Sequence, residues 1–435
     1  MAAIYRGHYA CSSLGGVHYI CSPRFSGGSV RPSHTSRALV IGAGIGGLTA
    51  AAALAARGWS VTVLERARKL EPVGAGIGIA PNGLRALDVL GLGDPVRELR
   101  TWRGEEGGLR SPSGRWLART TGDRAAARYG DSVVLLPRAA LVELLRSRLP
   151  GTVELRTGTA ATVTDPGAPD RSATVTTEEG DTRTADLVVA ADGIHSPTRR
   201  ALFPQHPGPR YAGFTTWRFL TEPPAGGVAP HETWGRGRMW GTNTLPDGRI
   251  YAYAAAEVPA GEQAPQGERA ALLRLYGDWH RPLPQLIEAV PEEDVLRNDV
   301  HHMTDPLPAH HAGRVALLGD AAHAMAPGLG QGGNQAVEDA VVLAQLADPA
   351  GEVTGALAHY TRQRLPRTAA VVRRSARASR TSMLRAAPAC ALRNAGIAVV
   401  GRIAPSAALR ALAGIADWRP PERTYAAQTQ SPVRQ

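Results

Sequence analysis

Apolar residues along this chain come in three short unbroken runs, each ending in glycine or aspartate. Ala38-Leu39-Val40-Ile41 runs into Gly42, Leu187-Val188-Val189-Ala190-Ala191 into Asp192, and Val315-Ala316-Leu317-Leu318 into Gly319. Runs of this length bounded by turn residues predict parallel strands buried on both faces, because a half-exposed strand would alternate. After the first run, residues 48–57 are rich in Ala and Leu, lack proline and end at Gly58, which predicts a helix, and 59–64 read as a second strand. Between Phe203 and His302 the helical signals thin. Residues 211–221, 233–244 and 249–257 look like strands there, the last behind a Pro246-Asp247-Gly248 turn. A helical run resumes over 335–347.

These elements predict an α/β fold. At 435 residues the chain exceeds the size at which one core stops growing, so a second domain or a large insertion is expected. No window reaches the roughly 18 unbroken apolar residues of a membrane helix, so no stable membrane insertion is expected. Cys11, Cys21 and Cys390 form no CxxC pair, which predicts a reducing, cytoplasmic setting without a structural disulfide and without zinc. His301-His302 and His310-His311 are adjacent pairs whose side chains diverge, and near Pro306 and Pro308 they read as surface-loop histidines; no metal site is expected.

Basic residues exceed acidic ones by 49 to 38, and eleven arginines without one acid lie between Arg362 and Arg410. That stretch could meet an anionic surface, but it has no interleaved aromatics and no nucleic-acid motif. It reads as the solvated faces of Arg-rich helices, and no nucleic-acid partner is expected. Residues 1–37 contain no acid and no apolar run of secretory length, so they read as a disordered extension, and the folded part is expected to begin at Ala38.

The first run carries the sharpest chemistry. Gly42-x-Gly44-x-x-Gly47 sits between a strand and a helix, as a dinucleotide-binding loop requires. Gly42 permits the tight turn, Gly44 lets backbone approach a diphosphate, and Gly47 lets helix and strand pack closely. The helix N-terminus offers free N–H groups to the anion. Glu65 closes the second strand 23 positions after Gly42, where an acid accepts hydrogen bonds from ribose hydroxyls. The glycines alone do not separate FAD from NAD.

Two further motifs do. Ala191-Asp192-Gly193, and Gly319-Asp320 followed by Pro327-Gly328-Leu329-Gly330-Gln331-Gly332-Gly333-Asn334, stand behind the first loop in a fixed order. In that order the three segments resemble the single-component FAD-dependent aromatic hydroxylases, the family of p-hydroxybenzoate, salicylate and urate hydroxylases. The resemblance runs over about residues 38–418 and is weakest after 386. It implies FAD contacts from Gly42, Gly44, Gly46, Gly47, Glu65 and Arg66. It also implies contacts from Gly78 in the segment 72–82, from Arg138 at a helix start, and from Asp192-Gly193. Asp320 is implied as the ribityl partner, and Gly330, Gly332, Gly333 and Asn334 as a helix start aimed at the flavin's pyrimidine end. Gly328, Gly330 and Gly333 repeat dinucleotide spacing, yet about seven residues part them from their strand, which argues against a second nucleotide site.

The family's architecture implies a Rossmann-like FAD-binding domain over 38–202 and 303–385, an inserted mixed β-sheet substrate domain over 203–302, and a C-terminal helical segment and tail over 386–435. It implies that NAD(P)H reduces the flavin, that O₂ forms a flavin C4a-hydroperoxide, and that an aromatic or polycyclic small molecule is hydroxylated by a monomer or homodimer. Pro327 matches the proline beside the flavin ring, and Arg218 and Tyr211 are the catalytic candidates of the substrate sheet. Strand alternation places Arg218 opposite Trp217 and Phe219, so one set or the other faces the flavin. An epoxidase or oxidase on the same scaffold remains an alternative, as does a flavin binder without turnover; the WxWxIP segment of halogenases is absent, with Thr216-Trp217-Arg218-Phe219 in the comparable place.

Overall fold

The computed structural model describes residues 35–70, 76–100, 106–403 and 412–421. The expectations for residues 1–34, for Pro72 to Ala75 and for most of the tail after 403 fall outside them.

The three apolar runs become neighbouring strands of one sheet. Its order is His311–Ala312, Val315–Leu317, Leu187–Ala190, Arg37–Ile41, Ser60–Leu64 and Glu154–Arg156, all parallel except the first. Ile41 pairs with Ala190 on one side and Leu64 on the other, and Ala190 pairs with Leu317. Register therefore brings the ends of all three motif strands to one sheet edge. Val40, Val63, Val189 and Ala316 are fully buried and face the helices Ile45–Ala56, Pro81–Asp88 and Gly332–Leu346. Leu39, Ile41, Val188 and Leu317 point the other way, onto a three-stranded sheet spanning Ala161–Asp165, Ala173–Thr177 and Thr182–Ala185. Burial on both faces is why these strands read as unbroken apolar runs.

A seven-stranded sheet forms the second layer. Its order is Leu296–His302, Arg210–Thr221, Ile250–Ala256, Arg238–Thr244, His231–Trp234, Glu106–Arg110 and Trp116–Thr121. The last two strands come from the segment assigned to the FAD domain, which corrects the boundary at 203. A parallel pairing of His231 with Gly108 bridges more than a hundred residues, and no local pattern announces such a pairing.

One face of this sheet is covered by helices Glu268–Tyr276 and Leu283–Ala289, against which Trp217, Phe219 and Trp240 are buried with Tyr276 and Trp279. The tryptophans are thus core. Arg218, between Trp217 and Phe219, lies on the opposite face, and cross-strand register adds Tyr253, Gly241 and Glu232 beside it. That face looks toward the parallel sheet. A Cβ on Gly76 would lie 2.4 Å from the Tyr251 ring, and Phe214 packs with Ala326.

The Arg-rich stretch forms helices Val353–Ser382 and Ala387–Ile403. Arg373, Arg377 and Arg380 are exposed, as expected of a solvated face. Arg364 is not, at 1% exposure, and Arg367 is half-buried, so the reading of this stretch as wholly solvated is corrected. No helix among the described residues is long and apolar enough to cross a membrane.

Candidate functional site

At the end of the first strand, Gly42 has φ of 101°, and a Cβ there would meet the Ala191 carbonyl oxygen at 2.5 Å. The first loop is thereby pressed against the second motif, which only glycine permits. A Cβ on Gly47 would sit 1.9 Å from the Gly42 oxygen, and one on Gly46 would sit 2.4 Å from Leu318, so both glycines serve packing. Gly44, which precedes helix Ile45–Ala56, faces open space. Gly42, Gly44, Glu65, Arg66, Asp192 and Gly193 line one cavity of about 350 Å³, together with 159–162 and 176–178. Glu65 carries a role that spacing alone did not show. Its Oε2 accepts the Ala43 N–H at 2.7 Å and its Oε1 accepts that of Ala67 at 2.9 Å, with second lone pairs left on both oxygens.

In the second motif Asp192 Oδ2 accepts the Thr198 N–H at 3.2 Å, while its buried Oδ1 has no partner. The residue both caps the following turn and presents a free acceptor beside the cavity. Arg199, 2% exposed, ties this motif to the third, donating to the Ile194 oxygen at 2.7 Å and the Ala321 oxygen at 3.2 Å. Sequence reading missed Arg199, since its only mark is one arginine in an Arg-rich chain.

Asp320 opens the turn Asp320–His323, and its carboxylate has no hydrogen-bond partner among the described residues. The residue is exposed, yet the protein around its carboxyl desolvates it and so raises its pKa, against the pull of His323, Arg138 and Arg199. Arg138, exposed at the start of helix Arg138–Ser147, is near enough to be felt at Asp320. A Cβ on Gly332, the first residue of helix Gly332–Leu346, would lie 4.0 Å from Asp320 Oδ1. Asp320 therefore stands two strands from the Gly42 turn, roughly 10 Å at about 4.8 Å per strand, and beside a second helix start.

The loop before that helix is a short turn Pro327–Leu329 followed by Gly330 at φ 60°, so the strand–turn–helix geometry of a second nucleotide loop is absent here. Pro327 is exposed, and its neighbour Ala326 packs under Phe214 of the facing sheet. Asn334 is fully buried and fully used. Its Oδ1 accepts from Ala80 N–H at 2.9 Å, and its Nδ2 donates to the Gly78 and Gly330 oxygens at 3.0 and 2.8 Å. Its side chain shapes the loop, and a Cβ on Gly333 would strike Ile77 at 2.8 Å, so glycine there serves packing.

Across the cleft, Arg218 donates to Asn298 Oδ1 at 2.6 Å and has an unpartnered Nε. The Tyr253 hydroxyl donates to Glu232 Oε1 at 2.8 Å, and Trp234 Nε1 donates to Glu232 Oε2 at 2.8 Å. Burial raises the Glu232 pKa against the pull of those two hydrogen bonds, and burial beside Glu232 puts Tyr253 well above the usual phenol value. Tyr211 lies at the start of strand Arg210–Thr221, paired with His301. Its hydroxyl donates to the Val258 oxygen at 2.5 Å, and its ring meets His301, which in turn meets His195 of the second motif. His301 and His302 lie in a strand and His310 is buried, which corrects their reading as loop histidines: the prolines nearby mark only the connection between them.

Beneath the second helix start lies a buried charge network. Asp339 accepts from Arg364 Nε at 2.6 Å and pairs with His323 Nε2 at 2.5 Å, while Glu338 accepts from Arg364, Arg367 and Asn82. Asp339 also accepts the Gly319 N–H at 3.0 Å and so fixes the turn that presents Asp320.

A glycine loop with an open side at Gly44, an unpartnered Asp192 oxygen and an unpartnered Asp320 carboxylate suit a long ligand with an anionic diphosphate and hydroxyl donors along its length, which is the make-up of FAD. Residues 35–375 match the family described as FAD binding domain. Among curated relatives, the aurachin C monooxygenase/isomerase of Stigmatella aurantiaca is 36% identical over 334 residues, covering 76% of this chain and 85% of that protein. The FAD-dependent urate hydroxylase of Klebsiella pneumoniae is 34% identical, covering 76% and 86%. Among solved structures, Klebsiella pneumoniae HpxO complexed with FAD and uric acid superposes with a TM-score of 0.75 at 30% identity, over 85% of this chain and 94% of that one.

Proposed function

This chain belongs to the FAD binding domain family and is an FAD-dependent monooxygenase, and we propose that it uses NADH or NADPH and O₂ to hydroxylate an electron-rich aromatic small molecule held between its two sheets. The observation that carries the reading is the shared sheet edge at Ile41, Ala190 and Leu317, which sets the Gly42 loop, Asp192 and Asp320 in a row opposite the Arg218–Tyr253–Glu232 face.

In this reading Gly42 and Gly44 let backbone amides approach the diphosphate, Glu65 accepts from the ribose, and Asp320 accepts from the ribityl chain. FAD held by these residues would, once reduced by NADH or NADPH, pass two electrons to O₂, so that one oxygen atom goes to the substrate and the other leaves as water. The free N–H groups at the start of helix Gly332–Leu346 favour negative charge on the ring beside them. Arg218 orients the substrate, Pro327 borders the flavin ring, Tyr211 packs against His301, and the Phe214–Ala326 contact keeps water from one side.

The test is direct. Purified protein reconstituted with FAD is given NADH or NADPH and a panel of phenols, purines and fused heteroaromatics under ¹⁸O₂. Faster pyridine nucleotide oxidation with one member, and one ¹⁸O in its product, support the reading. Holoprotein whose oxidation rate no arene changes contradicts it.

A further inference from the structure

Glu232 lies on the Arg218 face of the seven-stranded sheet, two strands from Ala118, against which helix Ala387–Ile403 packs, and it has no ion-pair partner among the described residues. Its oxygens each accept one neutral donor, from Tyr253 and from Trp234. The arrangement is built. Gly241 lies between the two strands, and a Cβ there would fall 2.0 Å from the Tyr253 ring, so glycine lets that ring cross the middle strand to reach Glu232. Arg218 and Arg393 are committed elsewhere, Arg218 to Asn298 and Arg393 to the Gly235 oxygen above the Trp234 ring. A half-buried carboxyl among aromatic rings, with one lone pair left on each oxygen, lacks the compensation that buried charges normally carry. No sequence motif marks it.

We propose that Glu232 is a specificity residue, accepting a hydrogen bond from an N–H or O–H group at one end of the aromatic substrate while Arg218 receives a carbonyl or oxyanion at the other end. The inference rests on the hydroxylase reading above and deepens it. Arg218 and Glu232 are three strand steps apart, about 14 Å between backbones at about 4.8 Å per step, and their side chains extend from the same face. That separation matches the length of a ring system, with the Tyr253 ring lying across Gly241 between the two side chains. The substrate class is therefore a planar arene with an acceptor at one end and a protic donor at the other, in contrast to a simple benzoate, whose far edge would leave Glu232 unmatched.

The probes are 4-quinolone and N-methyl-4-quinolone, which share ring and carbonyl and differ by one donor. Binding to FAD-loaded protein is read from the perturbation of flavin absorbance. Wild type is expected to bind the N–H compound at least about tenfold more tightly, Glu232→Gln to show a smaller preference, and Glu232→Ala to bind the two within about threefold. Flavin content and melting temperature check that the variants fold. If neither variant holds FAD, the wild-type pair alone decides. Equal binding of the pair by wild type, or an undiminished preference in both variants, overturns the proposal. So does wild type that binds neither probe yet shows arene-stimulated oxidation with a compound lacking the donor; protein that takes up no FAD sinks the earlier reading instead.

Discussion

The Ala43 N–H donates to Glu65 Oε2 at 2.7 Å, so the acid that ends the second strand also holds the glycine loop of the first. Replacing Glu65 by alanine removes both the loop tether and the acceptor for a ribose hydroxyl. FAD affinity is expected to fall about 10- to 100-fold, the equivalent of one to two charge-assisted hydrogen bonds. Glu65→Gln keeps an acceptor for Ala43 and is expected to lose less. Titration of apoprotein with FAD, followed by flavin fluorescence, measures both, and unchanged far-ultraviolet dichroism separates lost binding from lost fold.

Gly44 and Gly47 lie three positions apart and should fail in different ways. A Cβ on Gly47 has the Gly42 oxygen 1.9 Å away, a backbone atom that cannot yield without opening the loop, so Gly47→Ala is expected to lower the melting temperature even without ligand. A Cβ on Gly44 meets nothing within 4 Å. Gly44→Ala should leave apoprotein stability within about 0.5 kcal/mol of wild type and weaken FAD binding, because the methyl occupies the approach path of the diphosphate. Equal melting losses in the two variants would contradict this assignment.

Arg364 is buried against Asp339 and Glu338, and its loss leaves two carboxylates short of a partner. Arg364→Met is expected to destabilise the protein by about 3–5 kcal/mol, whereas Arg373→Met on the exposed face of the same helix should stay within about 0.5 kcal/mol. Denaturant midpoints of the two variants give the comparison. Because Asp339 also holds Gly319, the first variant should bind FAD less tightly as well.

The arginine stretch shows where the sequence stops being legible. Arg364 and Arg373 stand in the same composition, and what separates them is helical phase against Glu338 and Asp339, a contact set by tertiary packing. The three strand ends were legible because strands buried on both faces carry apolar runs without interruption, and the glycine loop because its spacing follows from the geometry of one turn. The two strands at 106–121 were not, since they pair locally with each other but the pairing that joins them to the seven-stranded sheet lies over a hundred residues away, and their few residues alternate weakly. Arg218 was placed on the right strand with its face undecided; Trp217 and Phe219 settled it by packing under helix Glu268–Tyr276. Glu232 gave no signal at all, because its meaning lies in Tyr253 and Gly241 on two other strands.

His310 makes stability depend on pH in a direction that can be worked out. Its ring is 2% exposed, 5.7 Å from His323 and 6.2 Å from Tyr360, and its Nδ1 has no partner. Burial first, then the neighbouring His323, lowers its pKa to about 3, while Asp339 pulls the other way. In the unfolded chain the value is about 6.5. Above pH 6.5 the ring is neutral in both states and contributes no pH dependence. Between 6.5 and about 3 the unfolded chain binds a proton that the folded chain refuses, so this stability is lost as pH falls, by up to about 1.4 kcal/mol per pH unit. His231, lowered to about 4 chiefly by burial, adds a slope of the same sign in the other sheet. The Asp339 carboxyl, held low by His323 and Arg364 despite its burial, adds its own loss only below about pH 4. Denaturant midpoints of holoprotein at pH 7.5, 6, 5 and 4.5 should therefore fall steadily in wild type and less steeply in His310→Gln, with the curves of the two converging toward acid. Parallel curves would show that the His310 ring is already protonated, or freely hydrated, in the folded state.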